Sequence, residues 1–440
     1  MALGLDKLNI LVLHSLGDIK AVPFFLRHHV FILERNCPGH NYLYHDTALP
    51  LPQYVKDTSF DLIILDVTFL CARWSPARIF ERLKNEYDFV KTSDAVKIAF
   101  PQDEYDCNEI LDEWMCDWQI DIVYSVISEH WDLLYPRYHK SGEIRLGFTG
   151  YIDETLIDVK RKPFNSRCID IGYRARKLLP YFGRLGETKW TIGRDVAACA
   201  VSSGLVTDIV IGDQGTLLGE AWLDFINDSK FTLGANSGSS LLDPRGKIQH
   251  DVRAYLRTHP AAPFEEVEEA CFKGLDGHYQ FTAISPRVME AALLDSCQIL
   301  VVGRYSDLIE PWEHYIPIKS DASDFDQVLE VMKDQALVQQ MIKKCRSTIL
   351  DTHDLRCQNK AKKILDAAAD VMTRKKVSSS CDEVERVIRQ YKNDVTQERY
   401  EIVWRQRRIR QRVVQALNDY PVLLRLAHIA YSFVNKRTWA

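Results

Sequence analysis

Five apolar runs rich in β-branched residues punctuate the first 150 residues: "LNILVLHS" (8–15), "FDLIILDV" (60–67), "AVKIAFP" (95–101), "IDIVYSVI" (120–127) and "EIRLGFTG" (143–150). They are apolar nearly throughout rather than alternating, which is how strands covered on both faces read. The gaps between them hold helix-length stretches such as "SPARIFERLKNEYDFV" (75–90), opened by Ser75–Pro76, a pair suited to an N-cap and a first helical residue. Buried strands joined by helical crossovers predict a doubly wound parallel sheet over residues 1–160.

A second series follows. "SRCIDIGYRAR" (166–176), "DIVIG" (208–212), "FTLGANSGSS" (231–240) and "QILVVGRYS" (298–306) read as strands, and "HYIPIKSD" (314–321) as a short edge strand, because Pro317 removes a ladder donor. "LDFINDS" (223–229) and "SPRVMEAALL" (285–294) read as helices between them; 324–350 and 357–376 read as closing helices. Residues 161–376 are thus expected to form a second α/β domain. Two such domains in tandem imply a ligand cleft beyond the carboxyl ends of their strands.

From Arg374 to the end there are 15 Lys+Arg against 7 Asp+Glu, a balance of +8, while the rest has 41 against 54, or −13. The tail, 377–440, carries an apolar stripe at Val384, Ile388, Tyr391, Val395, Ile402, Ile409, Val413 and Leu417, with arginines at 405, 407, 408, 410 and 412. Asp419-Tyr420-Pro421 breaks it, and a second short amphipathic helix, which includes the apolar stretch 421–434, ends at "NKRTWA". A basic amphipathic helix suits an anionic membrane surface, and equally a helical partner or a second copy; residues 384–437 are the expected contact. Nucleic acid is disfavoured, since the body is acidic and no nucleic-acid motif occurs. The longest apolar stretch is too short to span a bilayer and contains Arg425 and His428. Eleven cysteines without a C-x-x-C pair suggest reduced thiols and a cytoplasmic protein, peripheral to the inner membrane face if the tail binds lipid. No cofactor is implied.

The stretch from "ISPRVMEAALLDSCQILVVGRYSD" to "DFDQVLEVMKD" (284–334) resembles the carboxyl-terminal domain of GT-B glycosyltransferases of the group-1-like type. Their pattern is a helix opened near Ser-x-Arg, an acidic residue before a small apolar run, a strand, and a loop that meets the sugar nucleotide. "QDEY" (102–105) and "LGANSGSS" (233–240) are similar to a bacterial, polysaccharide-type subgroup. The resemblance is close over about 50 residues and loose over 1–376. It implies two Rossmann-like domains facing a cleft, with the basic helices appended. The first domain would hold a saccharide or lipid-linked acceptor and the second a nucleotide-sugar donor. Sugar transfer in bacterial surface polysaccharide or glycoconjugate synthesis would be the activity. A sugar-nucleotide epimerase and a catalytically silent scaffold subunit are the alternatives.

The resemblance gives Glu290 a role, as acceptor of the donor's ribose hydroxyls, for which a carboxylate offers acceptors only. Many retaining members carry a second Glu eight residues earlier, where this chain has Thr282. The departing diphosphate needs cations; Arg174 and Lys177 after the strand at 166–176, Arg287 in the opening turn and Arg304 past the next strand are the candidates. Ser285 opens the Glu290 helix. Ser237 and Gly238 lie in a loop that either turns its N–H groups to phosphate or is a plain tight turn. Tyr305, Trp312 and Tyr315 could stack on a base or sit in the core. On the acceptor side, Asp103 and Glu104 at a strand end, and His14 at another, are candidate general bases. No metal site is read: "DEYD" lacks the D-x-D spacing, and His28–His29 has no partner at metal-ligand spacing.

Overall fold

A computed structural model describes residues 7–17, 22–375, 377, 380–396, 400–406 and 409. Six parallel strands form the first sheet: β1 (Asn9–His14), β2 (Asn41–Asp46), β3 (Leu62–Leu65), β4 (Val96–Ala99), β5 (Ile122–Ser125) and β6 (Glu143–Leu146), in the order β2-β1-β3-β4-β5-β6. Strand β2 lacks the all-apolar signature, since "NYLYHD" mixes His, Asn and Asp with its aromatics. It pairs in register with β1 from Asn9↔Asn41 to His14↔Asp46. Its polar groups are satisfied individually: buried His45 hydrogen-bonds the Tyr391 hydroxyl at 2.8 Å and the Tyr87 hydroxyl at 2.9 Å.

The second sheet contains β7 (Ile169–Ala175), β8 (Thr207–Ile211), β9 (Ser229–Gly234), β12 (Cys297–Val301) and β13 (Ile316–Ile318) in the order β13-β12-β9-β7-β8. The Pro317 strand is at an edge, as its missing N–H requires. Both sheets are parallel and doubly wound with the same order counted from their first strand, which puts the switch points between β1 and β3 and between β7 and β9.

A ribbon departs from the second sheet. Strand β10 (Ser237–Ser239) pairs antiparallel with β11 (Phe281–Ala283), and helices Lys247–Thr258 and Phe264–Cys271 lie between them. Neither helix was expected. This excursion packs on the first domain: Phe281 joins the first domain's core, the Cys107 N–H donates to the Asp243 carbonyl at 2.7 Å, and the Asp243 N–H donates to the Tyr105 carbonyl at 2.9 Å.

The chain crosses between domains twice, side by side. The Ile152 N–H donates to Leu355 O at 2.7 Å and the Cys357 N–H to Ile152 O at 3.0 Å. After the second crossing, helix Cys357–Lys375 buries Ala361, Ile364, Ala368 and Val371 against Ile10, Val12 and Ile64 of the first sheet. The sequence places that helix with the second domain; its apolar face is spent on the first.

The tail reading changes similarly. Helix Cys381–Asp394 is capped by Ser380, whose hydroxyl accepts from the Glu383 N–H, and it buries Val384, Val387 and Tyr391 in the first domain's core. That part of the stripe has its partner within the chain and is unavailable to lipid or another protein. Ile402, Arg405 and Ile409 are exposed. Arginines 407, 408, 410 and 412, Val413, Leu417 and the piece at 421–434 lie outside the described residues. No helix among the described residues is long and apolar enough to cross a membrane.

Candidate active site

Glu290 lies in helix Pro286–Leu293, which starts with Pro286 at its first position and lies against β12. The carboxylate is 8 % exposed, and its Oε2 accepts from the Trp222 indole N–H at 2.7 Å. Burial raises its pKa, while Trp222 and the nearby Arg287 pull the other way. The ionisable acceptor, Glu290, is thus held in orientation by a donor on a second residue, Trp222. Trp222 comes from helix Glu220–Asp228, and the Arg287 guanidinium stands 5.5 Å from its ring centroid. Arg287 is exposed and donates to the Arg174 carbonyl at 2.5 Å.

A lysine not singled out in the sequence completes this wall. Lys189, on helix Gly183–Ala200, donates to the Ser237 hydroxyl at 3.1 Å. Ser237 follows β9, so the contact lies at the β7/β9 switch point. Lys189 is held down at about 8 by burial first and then by Arg287, against the opposing pull of Asp103. Asp103 belongs to the other domain. Arg287, Lys189 and Ser237 thus stand on the second domain, and the charge of Asp103, on the first, acts on Lys189 across the domain boundary. Asp103 has φ 51° and accepts from the Tyr105 hydroxyl at 2.6 Å.

Several expected site residues are placed elsewhere. Glu104 points into the first domain, 0 % exposed, accepting from the Tyr135 hydroxyl at 3.2 Å, and burial pushes it up to about 7. No acceptor hydroxyl reaches it there. His14, 5 % exposed, has Nδ1 3.6 Å from Asp46 and accepts the Leu16 N–H at 3.3 Å. Burial lowers its pKa. Beside it, Tyr400 of the tail donates to Asp46 at 2.7 Å, and Trp404 packs on Gly17. Tyr305 is 1 % exposed with its hydroxyl on the Val301 carbonyl, and Tyr315 is buried, so both are core residues; Trp312 is exposed.

Gly238 serves the β10–β11 ladder. Its φ is 138°, and a Cβ there would lie 1.8 Å from Phe281 O. Ser239 and Ser240 bond inward, to Phe182 O and Asp276. Ser237 alone of that loop meets a cleft cation. Arg174 is turned under the sheet edge, ion-paired to Asp208 at 2.7 Å and stacked 4.0 Å from the Phe225 centroid. Lys177 lies 4.8 Å from the Trp190 ring. Arg304 bridges the domains by pairing with Glu129 and with Asp307. The Ser285 hydroxyl makes no cap bond. Thr282 is in β11 opposite Gly238.

The first domain also holds a pair that sequence reading passed over. His29 Nδ1 lies 2.8 Å from Asp66 Oδ2, and His29, Asp66, Phe100 and Lys360 line one small cavity. Among the described residues no group of three or more His, Cys, Asp or Glu is arranged to hold a metal ion.

No family model matches the sequence, and no curated protein matches it. Solved structures of similar architecture exist, and these neighbours are GT-B glycosyltransferases. An α-glucosyltransferase in complex with UDP-glucose and DNA containing an abasic site is 10% identical, covering 83% of this chain and 100% of its own, with TM-score 0.49. The Anabaena Alr3699/HepE structure with UDP-glucose is 8% identical, with 82% and 100% covered and TM-score 0.46. A glycosyltransferase from Rickettsia africae is 9% identical, with 84% and 99% covered and TM-score 0.45. The chain itself is a two-domain α/β protein built on parallel sheets of six and five strands.

Proposed function

We propose that the protein is a glycosyltransferase that moves a hexosyl group from a nucleotide-sugar donor to an acceptor hydroxyl. The observation that carries this is the wall at the second domain's switch point. There a buried carboxylate oriented by Trp222 stands near Arg287, whose charge also acts on Lys189. Glu290 would accept from the ribose hydroxyls. Arg287 and Lys189 would face the diphosphate, the guanidinium as a fork and the ammonium as a point charge.

In the reaction the bond from the anomeric carbon to the diphosphate oxygen breaks, and one from that carbon to the acceptor oxygen forms. The acceptor's proton leaves to Asp103 or to the departing phosphate. Cations fixed in a closed cleft stabilise the developing negative charge without reorganisation. We take the transfer to be metal-independent, so chelation with EDTA is expected to leave turnover unchanged. The acceptor is proposed to be a saccharide or lipid-linked saccharide of the bacterial surface, with the described Arg405 and the arginines beyond it drawing the protein to the inner membrane face.

Calorimetry with UDP-, GDP-, CMP- and dTDP-sugars tests the donor site. Saturable binding of one donor that is lost in Glu290→Ala supports it; binding indifferent to that change removes Glu290 from the site. An absence of any binding favours the silent scaffold. Flotation on vesicles containing anionic lipid, with and without residues 410–440, tests the membrane reading. A duplex DNA arm in the acceptor assay tests the alternative that the acid balance of the body disfavours.

A further inference from the structure

Arg73 is 2 % exposed, and among the described residues no carboxylate oxygen lies within ion-pair distance of it. A buried, unpaired guanidinium is costly unless its N–H groups are individually satisfied. Here four of the five are used, all on backbone carbonyls. Nε donates to Asp106 O at 3.1 Å, Nη1 to Leu70 O at 3.1 Å, and Nη2 to Gln102 O at 2.7 Å and Asp103 O at 2.9 Å. The planar group also lies 4.3 Å from the Trp74 ring centroid.

Three of those carbonyls belong to one turn, residues 102–106. The turn is not a relaxed one: Asp103 has φ 51° and Cys107 has φ 57°, both in the left-handed region. Such residues persist where surrounding contacts over-determine them. The same turn carries the cleft carboxylate of Asp103 on one side. On the other it meets the second domain through Asp243 and through Gln249, whose amide donates to Asp106 at 2.9 Å.

We infer that Arg73 is a positioning residue for the proposed transfer: its guanidinium fork fixes the 102–106 turn so that the Asp103 carboxylate faces the second domain's cation wall. This rests on the proposed glycosyl transfer for its role in turnover, but the hold on Asp103 is a separate, measurable property. Lysine keeps the charge but gathers its donors on one nitrogen, so it cannot serve the carbonyls that Arg73 reaches from both Nε and Nη2. A side chain that merely filled space would be replaced by methionine without consequence for Asp103.

The test compares the full-length protein with its Arg73→Lys, Arg73→Met, Asp103→Asn and Arg73→Lys/Asp103→Asn variants. The first readout is the pH dependence of Lys189 acylation by acetic anhydride, followed by mass spectrometry. Lys189 feels Asp103 directly, so a displaced Asp103 lowers the midpoint. Asp103→Asn and Arg73→Lys are expected to lower it similarly, and the double variant no further than Asp103→Asn alone. A midpoint in Arg73→Lys equal to that of the unaltered protein overturns the inference, as does an additive double variant.

The second readout is hydrolysis of UDP-glucose, with water as acceptor. Misplacement by about 1 Å is expected to cut turnover by roughly 100-fold, with the calorimetric Kd for UDP-glucose changed less than about threefold. A loss of affinity with turnover per bound donor unchanged overturns the positioning role. If the unaltered protein neither binds nor hydrolyses UDP-glucose, the transfer role fails with that donor, and the Lys189 midpoints still decide whether Arg73 holds Asp103. Should Arg73→Met not fold, Arg73→Lys carries the comparison.

Discussion

The Trp222 indole N–H donates to Glu290 Oε2 at 2.7 Å across two helices that otherwise meet through apolar side chains. It holds one carboxylate oxygen and supports the ionised form against burial. Trp222→Phe keeps the ring and removes the donor. A lost hydrogen bond to a charged group is worth about 1.5–3 kcal/mol, so donor affinity is expected to fall by about 10- to 100-fold. Burial already raises the Glu290 pKa, and losing the indole raises it further, so the loss should be larger at pH 5.5 than at pH 8. Calorimetry at the two pH values checks this; a pH-independent loss would assign Trp222 to base stacking instead.

Glu104 titrates near 7 because its carboxyl is wholly buried. An acid whose folded pKa lies above its unfolded value of about 4.3 binds more protons when folded, so stability falls as pH rises between those values. Over that window the effect is on the order of 3 kcal/mol. Glu104→Gln keeps the shape and removes the titration. Urea unfolding should find the variant gaining on the unaltered protein between pH 4.5 and pH 8; a constant difference would mean that the carboxyl is solvated.

Tyr391 donates or accepts at His45 Nδ1, depending on the tautomer, and lies among Val384 and Val387 in the first domain's core. Tyr391→Phe leaves a buried imidazole nitrogen without its partner and should cost about 1–3 kcal/mol. Val384→Asp should cost more, by placing a charge in that core. Thermal unfolding checks both. If neither change shifts the transition, helix Cys381–Asp394 is not part of the folded first domain.

Gly238→Ala tests the ribbon. A methyl group at φ 138° would meet Phe281 O at 1.8 Å, and backbone atoms cannot rotate away as a side chain can. A cost above about 2 kcal/mol is expected, with the β10–β11 pairing loosened and Ser237 displaced from Lys189. Hydrogen exchange at the Phe281 and Ala283 amides reads this directly. Unchanged exchange would show that the ladder tolerates the methyl group.

Much was legible in the residue order, and for local reasons. Uninterrupted β-branched runs must be buried on both faces, and that requirement alone locates four strands of the first sheet within it: "NILVLH", "LIIL", "VKIA" and "IVYS". Pro317 on an edge strand and Pro286 at a helix start follow from equally short-range rules. What the tertiary structure decided is which partner each residue meets. Strand β2 exists because β1 offers it a ladder and Tyr87 and Tyr391 satisfy its histidine, and no local propensity encodes those long-range contacts. The tail's stripe is the periodicity of an amphipathic helix on any apolar surface; that its first part, Val384 to Tyr391, shares one core cluster with Leu43 and Val55 is decided only by the folded chain. Glu104 and Asp103 are neighbours in sequence, yet one turns into the core and the other to the cleft. Asp103 stands in a left-handed backbone conformation, in a turn whose carbonyls take three of the four bonds donated by the distant Arg73.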